Sequence, residues 1–402
     1  MRRGIFFALL LAAGAGVGVP ALAAQGFEVS GVLDTTVSLS AGAGAGRGFS
    51  LGVEEWANVR FSAGAGSAAE CCGAVNLAAL SGASLEAAAA LQAAAEASGA
   101  PLPAMLLAAG DYYGAALEIE RLFLRLSGEA ASADLGLIRA AFGTGLVWNP
   151  LDFLNPKNPL MPDARPRSVL GCTAAFYLPG DAQAGLLAIA PRDPLSAGGR
   201  GFLGGLSAKA RFARGGVEAL YGYETPQGDF PRGLHRAGLS LRADALVEIC
   251  ADALYTWDPS REARLDGLSA ALGVDYSFLG GYLYVLASYL YNGAASVTAK
   301  AQQPLTGLGS RHYLYASGLY RFDDYTSAAL AAIVCVDDAS FMPLLSASCE
   351  VFQGFTLSLQ AQAPLDEATL SGSGKRGEFG PLPPGQESGT YFSCRIKARY
   401  RF

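Results

Sequence analysis

Apolar and polar side chains alternate at a period of two through most of the chain after Phe27. In the last eleven residues Phe392, Cys394, Ile396, Ala398, Tyr400 and Phe402 fall on one parity, and Ser393, Arg395, Lys397, Arg399 and Arg401 on the other. An extended strand turns this order into one apolar and one cationic face, whereas a helix would mix the two. Four cations on one face cannot enter a dry core, because each unpaired buried charge costs several kcal/mol, roughly, even after relaxation. They can face water inside a closed sheet whose other side meets lipid, the arrangement of a transmembrane β-barrel.

The same division recurs upstream. Phe27, Val29, Leu33, Val37 and Leu39 oppose Glu28, Ser30, Asp34, Thr36 and Ser38, and Val247, Ile249, Ala251, Ala253 and Tyr255 oppose Glu248, Cys250, Asp252 and Thr256. Leu268, Ala270, Leu272, Val274, Tyr276 and Phe278 oppose Ser269, Asp275 and Ser277, and Phe355, Leu357, Leu359 and Ala361 oppose Thr356, Ser358, Gln360 and Gln362. About eighteen such segments fit, with sixteen as the alternative, each roughly nine to fifteen residues long once tilt is allowed. Tight connections are expected at Gly180-Asp181, Gly215-Gly216, Ala243-Asp244, Gly280-Gly281, Asp323-Asp324 and Gln353-Gly354, where Gly and Asp tolerate sharp backbone angles. Longer segments near 81–110, 144–166, 191–202, 297–310 and 366–387 fall between them. The prediction is an all-β, antiparallel up-and-down transmembrane barrel, with short periplasmic turns, long outer loops and both termini on the periplasmic side. A secreted β-sandwich or β-helix is the competing fold. One segment breaks the pattern: from Ala116 to Leu126 the polar positions Glu118, Glu120, Arg121 and Arg125 change parity, which predicts a bulge or a displaced strand boundary.

The terminal strand resembles the carboxy-terminal targeting strand of bacterial outer-membrane barrel proteins, whose final Phe, here Phe402, and alternate apolar positions such as Tyr400 are read by the barrel-assembly machinery. The resemblance covers this strand alone. It implies an outer-membrane location, with that machinery and the outer-membrane bilayer as partners.

The amino terminus agrees. Arg2-Arg3, an apolar run from Ile5 to Val19 and small residues at Ala21 and Ala23 predict a secretory signal peptide over 1–23, leaving 24–402 as one barrel domain. No Cys follows the cleavage point, so no lipoprotein anchor is expected. The formal charge of −6, which becomes −8 without Arg2 and Arg3, argues against nucleic acid as a partner. Seven cysteines without C-x-x-C spacing, and two histidines in the whole chain, give no metal site and no cofactor to expect. Export through an oxidising space leaves one or two disulfides open.

Three features carry candidate function. The segment Trp148 to Arg167 holds Pro150, Pro156, Pro159, Pro162 and Pro166, which preset the backbone and favour one ordered shape. Its apolar members Trp148, Leu151, Phe153, Leu154 and Met161 need a surface to pack on. Following the fifth predicted strand, it resembles the third loop of general porins, which folds inward and narrows the lumen. That resemblance implies Asp152, Lys157, Asp163, Arg165 and Arg167 as constriction-lining charges; an outer cap packed on its own prolines is the alternative. Trp-Asn-Pro…Asn-Pro loops are also similar to those of uncharacterised porin-like barrels.

Second, Ser84 to Ser98 is Ala-rich, with Ser84 at a helix start, Glu86 in the first turn and Gly99 as a stop. It predicts a short helix whose face with Leu85 and Leu91 seats in the barrel mouth or meets a neighbouring chain. Third, Lys209, Arg211, Arg236, Arg242, Arg395, Lys397, Arg399 and Arg401 fall on the inward parity, with Glu218 and Glu224 opposite some of them. These are candidate lumen-lining charges that would favour small anionic or zwitterionic solutes, unless cross-strand pairing consumes them.

No G-x-S-x-G, H-E-x-x-H or phosphate-cradling G-x-x-x-x-G-K occurs. The expectation is a channel, not an enzyme, that passes small polar solutes by diffusion. A structural or adhesive barrel with a plugged lumen is one alternative. Another is a rim hydrolase using His312 with Asp337-Asp338, in resemblance to outer-membrane proteases. The first strand starts within a few residues of the predicted cleavage point, which leaves an uptake receptor no room for a plug domain. A homo-oligomer stays open.

Overall fold

The computed structural model describes residues 26–43, 48–64, 68–98, 105–155, 159, 168–190, 201–226, 232–259, 265–293, 308–365, 379 and 389–402. The predicted leader at 1–23 lies outside them. The strands are β1 (Phe27–Ala43), β2 (Phe49–Gly64), β3 (Ala69–Gly82), β4 (Met105–Ala109), β5 (Tyr113–Ser127), β6 (Ala131–Ile138), β7 (Val169–Leu178), β8 (Ala182–Ile189), β9 (Leu203–Phe212) and β10 (Gly215–Glu224). They continue as β11 (Leu234–Asp244), β12 (Glu248–Trp257), β13 (Leu268–Phe278), β14 (Leu283–Asn292), β15 (His312–Arg321), β16 (Thr326–Cys335), β17 (Phe341–Phe352), β18 (Phe355–Gln362) and β19 (Gly389–Arg401). A helix, α1 (Ala83–Ser98), follows β3.

Eighteen strands close a ring in chain order, each antiparallel to its neighbours, because β1 pairs with both β2 and β19 and β3 pairs directly with β5. Closure removes the free edges of an open sheet and satisfies every ladder internally, as a bilayer requires. Among the described residues no helix is long and apolar enough to cross a membrane. Alternation settles which face is which. Leu206, Leu239, Leu330 and Ile396 point outward and are 56%, 53%, 63% and 53% exposed, while Asp34, Asn76, Ser240 and Asp252 point inward and are buried.

Tight connections gather at the end that holds both Phe27 and Phe402, and the longer ones at the opposite rim. Two turns lie beside their expected places. Gly215 and Gly216 belong to the β9–β10 ladder opposite Phe212 and Arg211, so the turn is Ala213-Arg214. Ala243 and Asp244 end β11 opposite Ile249 and Glu248. In both hairpins the register of the alternating faces, not the presence of turn-forming residues, fixes where the chain reverses.

The irregular segment is a bulge in β5. Arg121 pairs with Ala74 and Ile119 with Val75, so Glu120 is the extra residue. One inserted residue moves the inward parity from Glu118 and Glu120 to Arg121, Phe123 and Arg125, and leaves Ile119 and Leu122 outside. The polar residues Glu118, Glu120, Arg121 and Arg125 thereby all face inward despite their change of parity. At the same height β5 parts from β6: their ladder stops at Leu122–Leu137, and above it β4 pairs with Gly114–Leu117 in the place β6 has left.

Candidate functional site

The chain leaves the wall at Arg139 and turns into the barrel. Its root is an ion pair, Arg139 Nη2 to Glu120 Oε1 at 2.7 Å, with the Glu120 side chain only 4% exposed. Glu120 Oε2 also accepts from Asn58 Nδ2 at 2.7 Å and Asn76 Nδ2 at 3.1 Å, so neighbouring strands satisfy a carboxylate that would be costly to bury alone. The bulge is what presents Glu120 to this root.

Beyond it, Gly143 N donates to Glu218 on β10 at 3.0 Å, and Thr144 N donates to Ser240 on β11 at 3.1 Å and Asp252 on β12 at 3.2 Å. Gly143 has φ +77°, and a Cβ there would lie 2.9 Å from the Asp252 carboxylate, so only glycine lets the backbone come this close to the wall. On the wall itself, a Cβ on Gly238 would collide with the Leu151 side chain. Both surfaces of this contact are cut to fit.

The Trp-Asn-Pro…Asn motif explains its own shape. Asp152 N donates to Asn149 Oδ1 and Asn155 N to Asp152 Oδ1, each at 3.2 Å, while the same nitrogens reach the Asn149 and Asp152 carbonyls at 3.1 Å. These are successive Asx-stabilised turns three residues apart. Asn149 Nδ2 and Asn155 Nδ2 return to the Phe142 and Ala140 carbonyls at 2.7 and 2.8 Å, tying the outgoing half to the ingoing half. The apolar residues between then point two ways. Leu151, Phe153 and Leu154 pack with Phe142 against Leu187, Ile189, Leu203, Leu220 and Leu254 of β8–β12. Val147 and Trp148 pack on the facing wall, against Leu286, Leu290, Tyr313, Ile333 and Met342 of β14–β17. Trp148 is 1% exposed and its ring lies 6.2 Å from Tyr315 in an edge-on contact.

The wall this segment does not cover, β18, β19, β1 and β2, keeps polar inner positions. Arg399 forms a two-pronged pair with Asp34 at 2.7 and 2.8 Å, Lys397 lies in register between Thr36 and Ser358, and Arg395 between Ser38 and Gln360. Arg60 Nε donates to Asn58 Oδ1 at 2.7 Å. Helix α1 sits over this side of the rim, with Leu85 buried among Ala78, Leu80 and Ala116 and against Trp56.

No protein-family model matches the sequence, and no curated protein sequence does. Solved structures match it in shape. OccAB4 of Acinetobacter baumannii superposes with a TM-score of 0.57 at 10% identity, covering 94% of this chain and 98% of that one. OpdQ of Pseudomonas aeruginosa gives 0.52 at 11% identity over 94% and 98%, and the outer membrane protein OprD of the same organism 0.53 at 9% over 94% and 95%. The fold is that of a porin-like barrel of the bacterial outer membrane. At these identities the likeness is one of fold, not of side chains.

Within the porin-like barrel the expected site residues part company. Asp152 is buried and caps a turn instead of facing water. Lys157, Asp163, Arg165 and Arg167 lie outside the described residues. Arg236 is taken up by the inner segment: it pairs with Glu224 at 2.8 Å, carries Phe153 over its guanidinium at 4.8 Å and is 11% exposed along the side chain. Lys209 pairs with Glu218 at 3.0 Å and Arg242 with Glu248 at 2.8 Å, both nearer the tight-turn end, where Arg211 is exposed. Tyr400 and Phe402 stack on the outer face 6.5 Å apart. All seven cysteines are free. The hydrolase constellation does not assemble: the His312 ring bonds Tyr289, while Asp337 accepts from the backbone of Arg311 and His312. Sequence reasoning missed Glu120, Ser240 and Asp252 as anchors. Only the parity break marked the first, and inward Ser or Asp on a strand marks neither of the others.

Proposed function

We propose that this barrel is a channel for passive diffusion of small polar solutes, with segment 139–155 as its constriction and the β18–β19–β1–β2 wall as the path. The observation that carries it is the tether of Thr144 to Ser240 and Asp252, which holds the segment across the inside of β10–β12 and away from β19 and β1. A solute passing this wall meets Arg395, Lys397, Arg60 and the Arg399–Asp34 pair, a mixed but net basic row that favours small anionic or zwitterionic solutes by charge.

A barrel shut by its own loop is supported by a specific feature, the two apolar clusters on opposite walls. Purified protein in planar bilayers separates the two readings. Discrete current steps, with liposome swelling that falls as solute size rises, support the channel; a silent bilayer at all voltages overturns it in favour of a structural or adhesive barrel.

A further inference from the structure

The only two histidines in the sequence, His235 and His312, stand in one repeated arrangement on separate hairpins. In β10–β11, Tyr223 is in register with His235; in β14–β15, Tyr291 is in register with His312. In each, the Tyr two residues earlier on the partner strand, Tyr221 or Tyr289, hydrogen-bonds the imidazole Nδ1 at 2.7 Å. The in-register Tyr packs obliquely on the ring, with centroids 4.8 Å apart at His235 and 5.3 Å at His312. On its other side His235 stacks on Trp257 at 5.1 Å and 15°, and Trp257 stacks on Tyr255. Both histidines share the outward parity of the exposed Leu239 and Leu314, and both lie at the long-loop end of their strands. They therefore sit in the aromatic belt at that interface, level with lipid headgroups.

The Tyr contact fixes the orientation of the ring and turns Nε2 away from the Tyr hydroxyl. Nε2 carries a hydrogen in the neutral tautomer that accepts the Tyr hydroxyl at Nδ1 and in the protonated ring that donates from Nδ1, whereas a neutral ring that donates from Nδ1 to the Tyr oxygen leaves Nε2 an acceptor. A phosphate beside the ring selects the first two states, in which Nε2–H is a donor. At headgroup depth the strong acceptors are phosphate oxygens, and an imidazole donor held in one orientation is matched to them. Plain belt residues would need none of this: Tyr276 with Phe278 and Tyr320 with Phe322 form the opposite belt without a histidine.

We propose that His235 and His312, each oriented by its Tyr partner, are two binding positions for the phosphate groups of lipids in the leaflet at the long-loop side. Because the chain has two histidines, selective 15N-imidazole labelling of the full-length barrel gives a spectrum that contains these sites alone. It is to be recorded in nanodiscs of phosphatidylglycerol, of phosphorylated lipid A and of phosphate-free galactolipid. Both Nε2 resonances should move between galactolipid and the phosphate-bearing discs. Movement in lipid A alone assigns the phosphate to the sugar headgroup, and movement in both assigns it to phosphate whatever bears it. Resonances unchanged across all three overturn the proposal. As a second readout, H235F with H312F keeps the belt aromatic but removes the donors, and retention of lipid A on the detergent-extracted barrel should fall about tenfold. Retention equal to that of the unaltered barrel would also overturn it.

Discussion

The two ends of the barrel interior are built on different rules. Toward the tight turns the inner face is charged and wet, with Arg125 paired to Asp134, Arg242 to Glu248 and Lys209 to Glu218, each cation at least 40% exposed along its side chain. Toward the long loops, on β8–β12 and β14–β17, the same parity carries Leu187, Ile189, Leu203, Leu254, Leu290 and Ile333, all buried under segment 139–155. One sheet thus lines a charged, solvent-exposed face at one end and forms the wall of a packed core at the other. Between them, Glu218, Ser240 and Asp252 are polar yet buried, and they hold the segment that divides the two. On the proposed channel reading, permeation should accordingly separate from stability: the core would set the bore, and the charges of the β18–β19–β1–β2 wall would set which ions prefer it.

The comparison is most easily broken by removing the divider. Deleting residues 150–165 takes out Leu151, Phe153 and Leu154 from the apolar filling and is expected to raise single-channel conductance several-fold; an unchanged conductance would remove the segment from the pore. Next in size is Trp148→Ala, which should cost about 3–5 kcal/mol of local packing, the usual range for emptying a large buried aromatic site. Faster proteolysis within the segment and noisier open-channel current would register it, with the barrel's own heat-modifiability on gels retained. Gly238→Val pushes a side chain into the place of Leu151 and is expected to lift the same face of the segment, with a smaller rise in conductance than the deletion. Arg399→Gln leaves buried Asp34 without its two-pronged partner and should lower unfolding stability by on the order of 1–3 kcal/mol, discounted because the Arg side chain is 34% exposed. The smallest structural effect belongs to Lys397→Glu on the β18–β19–β1–β2 wall. There the measurement is the reversal potential in a salt gradient, which should move toward cation preference while conductance and melting behaviour change little. A shift in conductance as large as the deletion's would mean that the wall, not the segment, is the constriction.

The strand architecture was legible because alternation is local: Phe392 to Phe402 or Phe27 to Leu39 announce their faces without knowledge of any partner. Where the lumen is filled the signal fades. β14, Leu-Tyr-Val-Leu-Ala-Ser-Tyr-Leu-Tyr-Asn, has apolar residues on both parities, because Val285 meets lipid while Leu286 and Leu290 meet the core. The parity break at Glu118 to Arg121 did report the bulge, but not its purpose, since Asn58, Asn76 and Arg139 reach Glu120 from distant parts of the sequence. Of the proline-rich segment, Trp148 to Asn155 was recognisable as ordered. That Asp152 would cap a turn instead of facing the passage was not, because a carboxylate three residues after an Asn serves either role equally well as text. The charges of the last strand were visible as a row, while the pairing of Arg399 with Asp34 depends on a closure that joins the two ends of the chain.

That closure also makes the first strand hostage to the nineteenth. Gly31 and Phe402 exchange backbone hydrogen bonds at 3.0 and 3.1 Å, and Asp34 meets Arg399 a few residues along the same seam. The two partners of that ion pair are 365 positions apart in the sequence. Until β19 arrives, Asp34 is an orphaned carboxylate on a raw margin, so the ring locks only when its last strand is in register.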